Sequence, residues 1–154
     1  MTRRGLLAMS AAAMGLGALR AGAVETFEIT RTDAEWRAML SDLEYRVMRE
    51  EGTERAFTSP LNDEKREGVF LCRGCDLPVY DSATKFDSGT GWPSFYEAIG
   101  GAVATKPDRQ LFITRPECHC RRCGSHLRHI FDSGPQPTGK RHFINAVSLT
   151  FRAA

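Results

Sequence analysis

A mainly β domain is predicted for residues 24–154, an antiparallel sheet or small barrel with an N-terminal helix packed outside it. Three observations predict it. Short β-type runs separated by turn clusters fill the chain from Gly68 onward. One stretch of helical periodicity precedes them. Two matched Cys-x-x-Cys pairs, Cys72/Cys75 and Cys120/Cys123, add a four-cysteine site to that sheet.

The helical stretch opens with Thr32-Asp33-Ala34-Glu35, in which Thr32 is the N-cap and Glu35 closes a capping box. Trp36, Met39, Leu40, Leu43 and Val47 then recur at helical spacing to about Glu50, with Gly52 ending the run. That stripe reads as a core-facing surface. The predicted strands are Gly68–Cys72, Leu77–Tyr80, Gly101–Ala104, Leu111–His119, Leu127–Phe131 and His142–Phe151. Asp87-Ser88-Gly89 and Asp132-Ser133-Gly134-Pro135 are turns between them. The last strand alternates, which sets Phe143, Asn145, Val147, Leu149 and Phe151 on one face.

Ahead of this domain, residues 1–23 read as an export signal. Arg3-Arg4 forms a twin-arginine pattern, an apolar stretch runs from Gly5 to Leu19, and Ala21-Gly22-Ala23 offers a small-x-small cleavage site. The stretch is shorter than the roughly 20 residues needed to span a bilayer, so a signal is favoured over a retained anchor. The expected destination is the periplasm, reached already folded. A metal could then be loaded before the cysteines meet an oxidising compartment.

Removing that segment changes the charge reading. The whole chain carries 21 basic and 19 acidic side chains, but residues 24–154 carry 18 against 19. A near-neutral body gives no electrostatic case for nucleic acid or an anionic membrane as partner. With 42% hydrophobic and 26% charged residues, the chain suits one globular domain, expected to be monomeric.

The two cysteine pairs enclose 44 residues, 76–119. Each sits on a tight turn that can aim two thiolates at one ion, so Cys72, Cys75, Cys120 and Cys123 fit one tetrahedral zinc at about 2.3 Å per bond. A closed four-sulfur set leaves no open position, so this zinc is structural. Two local disulfides or thioredoxin-like redox motifs are the competing readings. His119 neighbours Cys120 but reads as a strand residue. Cys118 is the unpaired cysteine, read as a small buried hydrophobe.

Between and after the pairs lie Thr84-Lys85-Phe86-Asp87-Ser88-Gly89-Thr90-Gly91-Trp92-Pro93-Ser94-Phe95, Ser125-His126-Leu127-Arg128-His129-Ile130-Phe131, and Gly134-Pro135-Gln136-Pro137-Thr138-Gly139-Lys140-Arg141-His142-Phe143-Ile144-Asn145. With the cysteine frame, these segments resemble the peptide methionine-(R)-sulfoxide reductases over about residues 32–152. In that family a cysteine thiolate attacks the sulfoxide sulfur, methionine leaves, and the resulting sulfenic acid is resolved by a second thiol and a thioredoxin-type reductant. The resemblance implies methionine-(R)-sulfoxide, free or in proteins, as substrate class. It makes Trp92 the wall for the methyl-sulfide group and His126 and His129 donors to the sulfoxide oxygen, with Arg141 and Asn145 orienting them or the substrate. Taken as isolated residues, Trp92, His126 and His129 read as satisfied core side chains.

Three positions depart from the family pattern. Phe143 stands where the nucleophilic cysteine belongs, Thr90 where the resolving cysteine is common, and Arg128 where glycine is usual. Phenylalanine has no nucleophilic atom. Two readings follow. Either Cys118 has become a relocated nucleophile, which requires the strands Leu111–His119 and His142–Phe151 to pair, or the chain is a silent module that binds oxidised methionine or a protein partner.

Overall fold

The two helical segments show how local hydrogen bonding overrides periodicity. In the computed structural model, which describes residues 25–110 and 113–154, the expected single helix is two: α1 (Asp33–Met39) and α2 (Asp42–Arg49). The signal segment 1–23 lies outside the described residues. Thr32 and Glu35 form the predicted capping box. A second box then breaks the run at Ser41, whose hydroxyl accepts the Glu44 N–H while Glu44 accepts the Ser41 N–H. A side chain that offers the backbone its own acceptor favours a new N-terminus over another helical turn. The break splits the predicted stripe. Trp36, Leu40 and Val47 are buried with Tyr45 and Met48, whereas Met39 and Leu43 are exposed. Trp36 is held between the guanidiniums of Arg31 and Arg49, 4.7 and 4.5 Å from its ring.

All strand pairs are antiparallel, as expected, and divide into two sheets. The first is β2 (Pro78–Asp81), β1 (Gly68–Cys72) and β9 (Leu149–Ala153), in that order. The second runs β3 (Lys85–Phe86), β4 (Ser94–Phe95), β8 (Arg141–Ile144), β7 (His126–Phe131), β6 (Ile113–Cys120) and β5 (Val103–Gln110). Strand β5 runs well past the expected Ala104. It tolerates Pro107 because it is an edge strand, and Pro107 pairs with Pro116 beyond the β6–β7 ladder, which begins at Glu117.

The predicted strand His142–Phe151 is cut in two. A 3-10 turn at Ala146–Ser148 separates β8 from β9 and sends them to different sheets. The buried carboxylate of Glu54 causes it by accepting the N–H groups of Ala146 and Val147, which a continuous strand would spend on a neighbour. The expected alternation therefore fails, and Phe143, Ile144, Asn145 and Ala146 are buried in succession.

The core lies between the sheets and α2. Phe95 meets Phe70 edge-on at 5.0 Å and stacks on Tyr80 at 4.3 Å, all three fully buried. Phe70→Ala is expected to cost about 3–5 kcal/mol, read from urea unfolding of the metal-loaded protein. Among the described residues no helix is long and apolar enough to cross a membrane.

Candidate active site

The four paired cysteines converge at the end of β1 and the end of β6, where each chain turns back on itself. The Asp76 N–H donates to the Cys72 carbonyl at 2.8 Å and the Gly124 N–H to the Cys120 carbonyl at 2.8 Å, two equivalent turns. Asp76 and Gly124 take φ +57° and +69° to complete them. The Cys72 and Cys123 sulfurs lie 3.7 Å apart, those of Cys75 and Cys120 3.5 Å apart, and all four within 4.8 Å of one another. Ligands at about 2.3 Å around a tetrahedral ion stand roughly 3.8 Å apart, so the cluster is positioned to bind a metal ion. Gly74 is required there, since a Cβ would stand 2.7 Å from Ser125 Oγ and 3.3 Å from Cys123 Sγ. Hydrogen bonds within the cluster, chiefly from Cys120, hold the Cys123 thiol far below the usual range. The same bonding pushes Cys72 and Cys120 up. His119 stands outside this set, bonded to Glu25 at 3.0 Å and edge-on to Phe27 at 5.7 Å.

The pocket residues meet on the second sheet. Ser94, Phe143, His129 and Glu117 oppose one another across β4, β8, β7 and β6 and so share a face. Trp92 meets the Phe143 ring at 5.0 Å and Phe131 meets it at 6.0 Å. His126 and His129 are three apart in β7, which in a regular strand sets them on opposite faces. A register irregularity between Cys118 and His119, and a φ of +149° at Arg128, bring their rings to 6.1 Å.

Each histidine is oriented by an acid rather than by Arg141 or Asn145. His126 Nδ1 donates to Glu117 at 2.8 Å and His129 Nε2 to Asp108 at 2.9 Å. Glu117 also holds Lys106 at 3.0 Å, and those bonds keep its carboxyl below its ordinary value although burial opposes them. Burial lowers the pKa of His129, against the opposing pull of its hydrogen bond to Asp108. Asn145 reaches neither histidine. Its side chain accepts the Glu54 N–H and donates to the Gly52 carbonyl, both at 3.3 Å, which fixes the segment that receives the Trp92 indole N–H on the Glu54 carbonyl. Arg141 lies over Phe131 and Phe143, 4.8 and 5.1 Å from their rings.

Arg128 closes the site. Its register with Cys118 and Ile144 belongs to the core face, yet its guanidinium lies 4.2 Å from the Trp92 ring and 4.0 Å from the Phe143 ring. The φ of +149°, which favours glycine, accompanies that crossing. Such backbone costs roughly 1–3 kcal/mol, and a cation on two aromatic faces returns a similar amount. Burial drops the Arg128 pKa to about 10.

Cys118 lies elsewhere. Strand β7 stands between β6 and β8, so the pairing that would have carried Cys118 to Phe143 does not form. Cys118 is fully buried in the core cluster with Tyr80, Phe95 and Ile144, and burial pushes its thiol up to about 12.

Residues 40–153 match the family model of the SelR domain. The chain is 52% identical to the peptide methionine sulfoxide reductase MsrB of Thiobacillus denitrificans, over 79% of this chain and 92% of the relative. Identity to the protein of the same name in Pseudomonas putida is 50%, over 81% and 95% of the two chains. In Methanosarcina barkeri it is 47%, over 80% and 88%.

This chain belongs to the SelR/MsrB family. For a SelR domain, two kinds of residue escaped the sequence reading. Asp108 and Glu117 are found only through the β5–β6–β7 register, because 21 positions separate Asp108 from His129 and 9 separate Glu117 from His126. Glu54 sits between the predicted helix and the first predicted strand and has no local signature.

Proposed function

We propose that this SelR/MsrB-family protein has lost sulfoxide reduction and keeps the family scaffold as a zinc-stabilised binding module outside the cytoplasm. The observation that carries the reading is the stack Trp92–Arg128–Phe143 at the position where the family resemblance asks for a thiolate. Reduction would require a thiolate lone pair to attack the sulfoxide sulfur, protonation of the sulfoxide oxygen, and transfer of that oxygen to the thiol sulfur as a sulfenic acid while the thioether leaves. Trp92, His126 and His129 could hold and polarise such a substrate, but Phe143 supplies no electron pair. Its ring and the Arg128 guanidinium also occupy the space beside Trp92. Cys118, enclosed in the core, supports no relocated chemistry.

Zinc is the ion the four-thiolate set fits, held by Cys72, Cys75, Cys120 and Cys123, and it would stabilise the fold. Were the chain active, methionine-(R)-sulfoxide would be its substrate and a thioredoxin-like protein its reductant.

The activity test is consumption of a methionine-(R)-sulfoxide peptide with dithiothreitol as reductant, in wild type and Cys118→Ser. Both are expected at the rate of buffer. Turnover in wild type that disappears in Cys118→Ser would overturn the reading. Export is tested separately. The double change Arg3→Lys, Arg4→Lys is expected to retain the precursor inside the cell, because the arginine pair is an address read by a receptor. Unchanged export would argue for the general secretory route.

A further inference from the structure

We propose that the altered pocket is a carboxylate-binding site, formed by Arg115, Arg128 and Arg141 against the Trp92–Phe143 wall. The inference rests on the reading that the site no longer reduces sulfoxides. Arg128 and Arg141 both lie on the Phe143 ring. Arg115 opposes Asp108 in the β5–β6 ladder, and its charge reaches both Arg128 and His129. Arg115 and Arg141 both lie within electrostatic reach of Arg128: burial lowers its pKa most, the Glu54 carboxylate opposes that, and repulsion from the two arginines adds to it.

The nearby acids are already engaged. Glu54 accepts the Ala146 and Val147 amides, Asp108 accepts from His129, and Glu117 accepts from His126 and Lys106. Among the described residues none of the three arginines has a carboxylate within ion-pair distance. Arg128 Nη1 and Arg115 Nε are buried without a hydrogen-bond partner among the described residues. Buried donors on charged groups are costly to leave unmade, and the one carboxylate whose charge reaches Arg128, Glu54, spends its oxygens on two backbone amides rather than on the guanidinium. Arg141 keeps one bond, Nε to Ser133 Oγ at 3.2 Å. All three side chains are partly exposed, so an approaching anion can reach them.

The chemistry selects a carboxylate. A planar guanidinium presents paired N–H groups that match two carboxylate oxygens, whereas the oxygen of a sulfoxide is a single neutral acceptor. The aromatic wall suits a small planar anion with an apolar stem. Such a group could come from a free small carboxylate or from an acidic side chain of a polypeptide.

The test is an NMR titration of the full zinc-loaded chain, following the Trp92 indole N–H and the Arg128 Nε–H. The probes are sodium acetate, a blocked Gly-Asp-Gly peptide and its Gly-Asn-Gly counterpart. Saturable shifts are expected with acetate or the aspartyl peptide, and response to the peptide alone would identify a polypeptide source. Arg128→Gly, which relaxes the backbone and so folds, is expected to weaken binding at least tenfold, and Arg141→Gln to weaken it several-fold. Exposed Arg152→Gln should leave it unchanged. Equal binding of the asparaginyl peptide, equal binding by Arg128→Gly, or no saturable shift with either carboxylate would overturn the site. Absence of binding together with absence of sulfoxide turnover removes this inference alone and leaves the silent-scaffold reading standing.

Discussion

Phe143→Cys is expected to regain little sulfoxide reduction by itself, whereas Phe143→Cys combined with Arg128→Gly should exceed wild type by at least roughly a thousandfold. On the proposal that Phe143 stands in a nucleophile's place, the new thiol provides one, and losing a covalent nucleophile typically removes several orders of magnitude in rate. The single change leaves the Arg128 guanidinium 4.2 Å from the Trp92 ring, on the wall that the proposed pocket would offer a methyl-sulfide group. Removing Arg128 clears that wall and relaxes the φ of +149°. The positioning groups need no repair, because His126 and His129 remain bonded to Glu117 and Asp108. Consumption of a methionine-(R)-sulfoxide peptide with dithiothreitol checks it across wild type, both single variants and the pair. Equal rates in all four would mean that the scaffold has changed beyond these two positions.

Removal of the metal should unfold the domain. The four sulfurs join the ends of β1 and β6, which belong to different sheets, and three of the four cysteines are buried among core residues. Structural zinc supplies on the order of 10 kcal/mol of apparent binding free energy, against about 5–15 kcal/mol for the stability of a whole domain. Elemental analysis is expected to give one zinc per chain, a strong chelator to abolish cooperative melting by circular dichroism, and Cys120→Ser to yield no folded protein. Chelated protein that melts cooperatively at an unchanged temperature would contradict this.

The sequence carried most of the local structure and little of its long-range arrangement. The antiparallel β character, the Thr32 cap and the four-cysteine cluster were legible because each rests on spacing within a few residues or on a repeated pair. The break at Ser41 was legible too, since Ser41-Asp42-Leu43-Glu44 repeats the capping-box pattern, but the hydrophobic stripe running across it masked the signal. The split of His142–Phe151 could not be read locally. Its cause is Glu54, some 92 residues upstream, taking the Ala146 amide. The same holds for the candidate site. Trp92, His126, His129 and Phe143 were found by motif and do meet on one face. Asp108 and Glu117 were missed because strand register alone brings them to the histidines. Arg141 and Asn145 were assigned as orienting groups, yet one lies on aromatic rings and the other anchors the Gly52–Glu54 backbone. Arg128 was visible as a departure, but its crossing to the Phe143 face depends on a backbone angle that no side-chain pattern encodes.

A single-turnover experiment needs no knowledge of the physiological reductant and decides whether any cysteine of the chain attacks a sulfoxide. Zinc-loaded wild type is mixed with excess methionine-(R)-sulfoxide peptide and dimedone, without a reducing thiol, and both products are read by mass spectrometry. Attack by any protein thiolate releases one methionine peptide per chain and leaves a sulfenic acid that dimedone traps. No reduced peptide above the buffer control and no adduct on any of the five cysteines is expected. One equivalent of reduced peptide with a matching adduct on Cys118 would contradict the silent-scaffold reading.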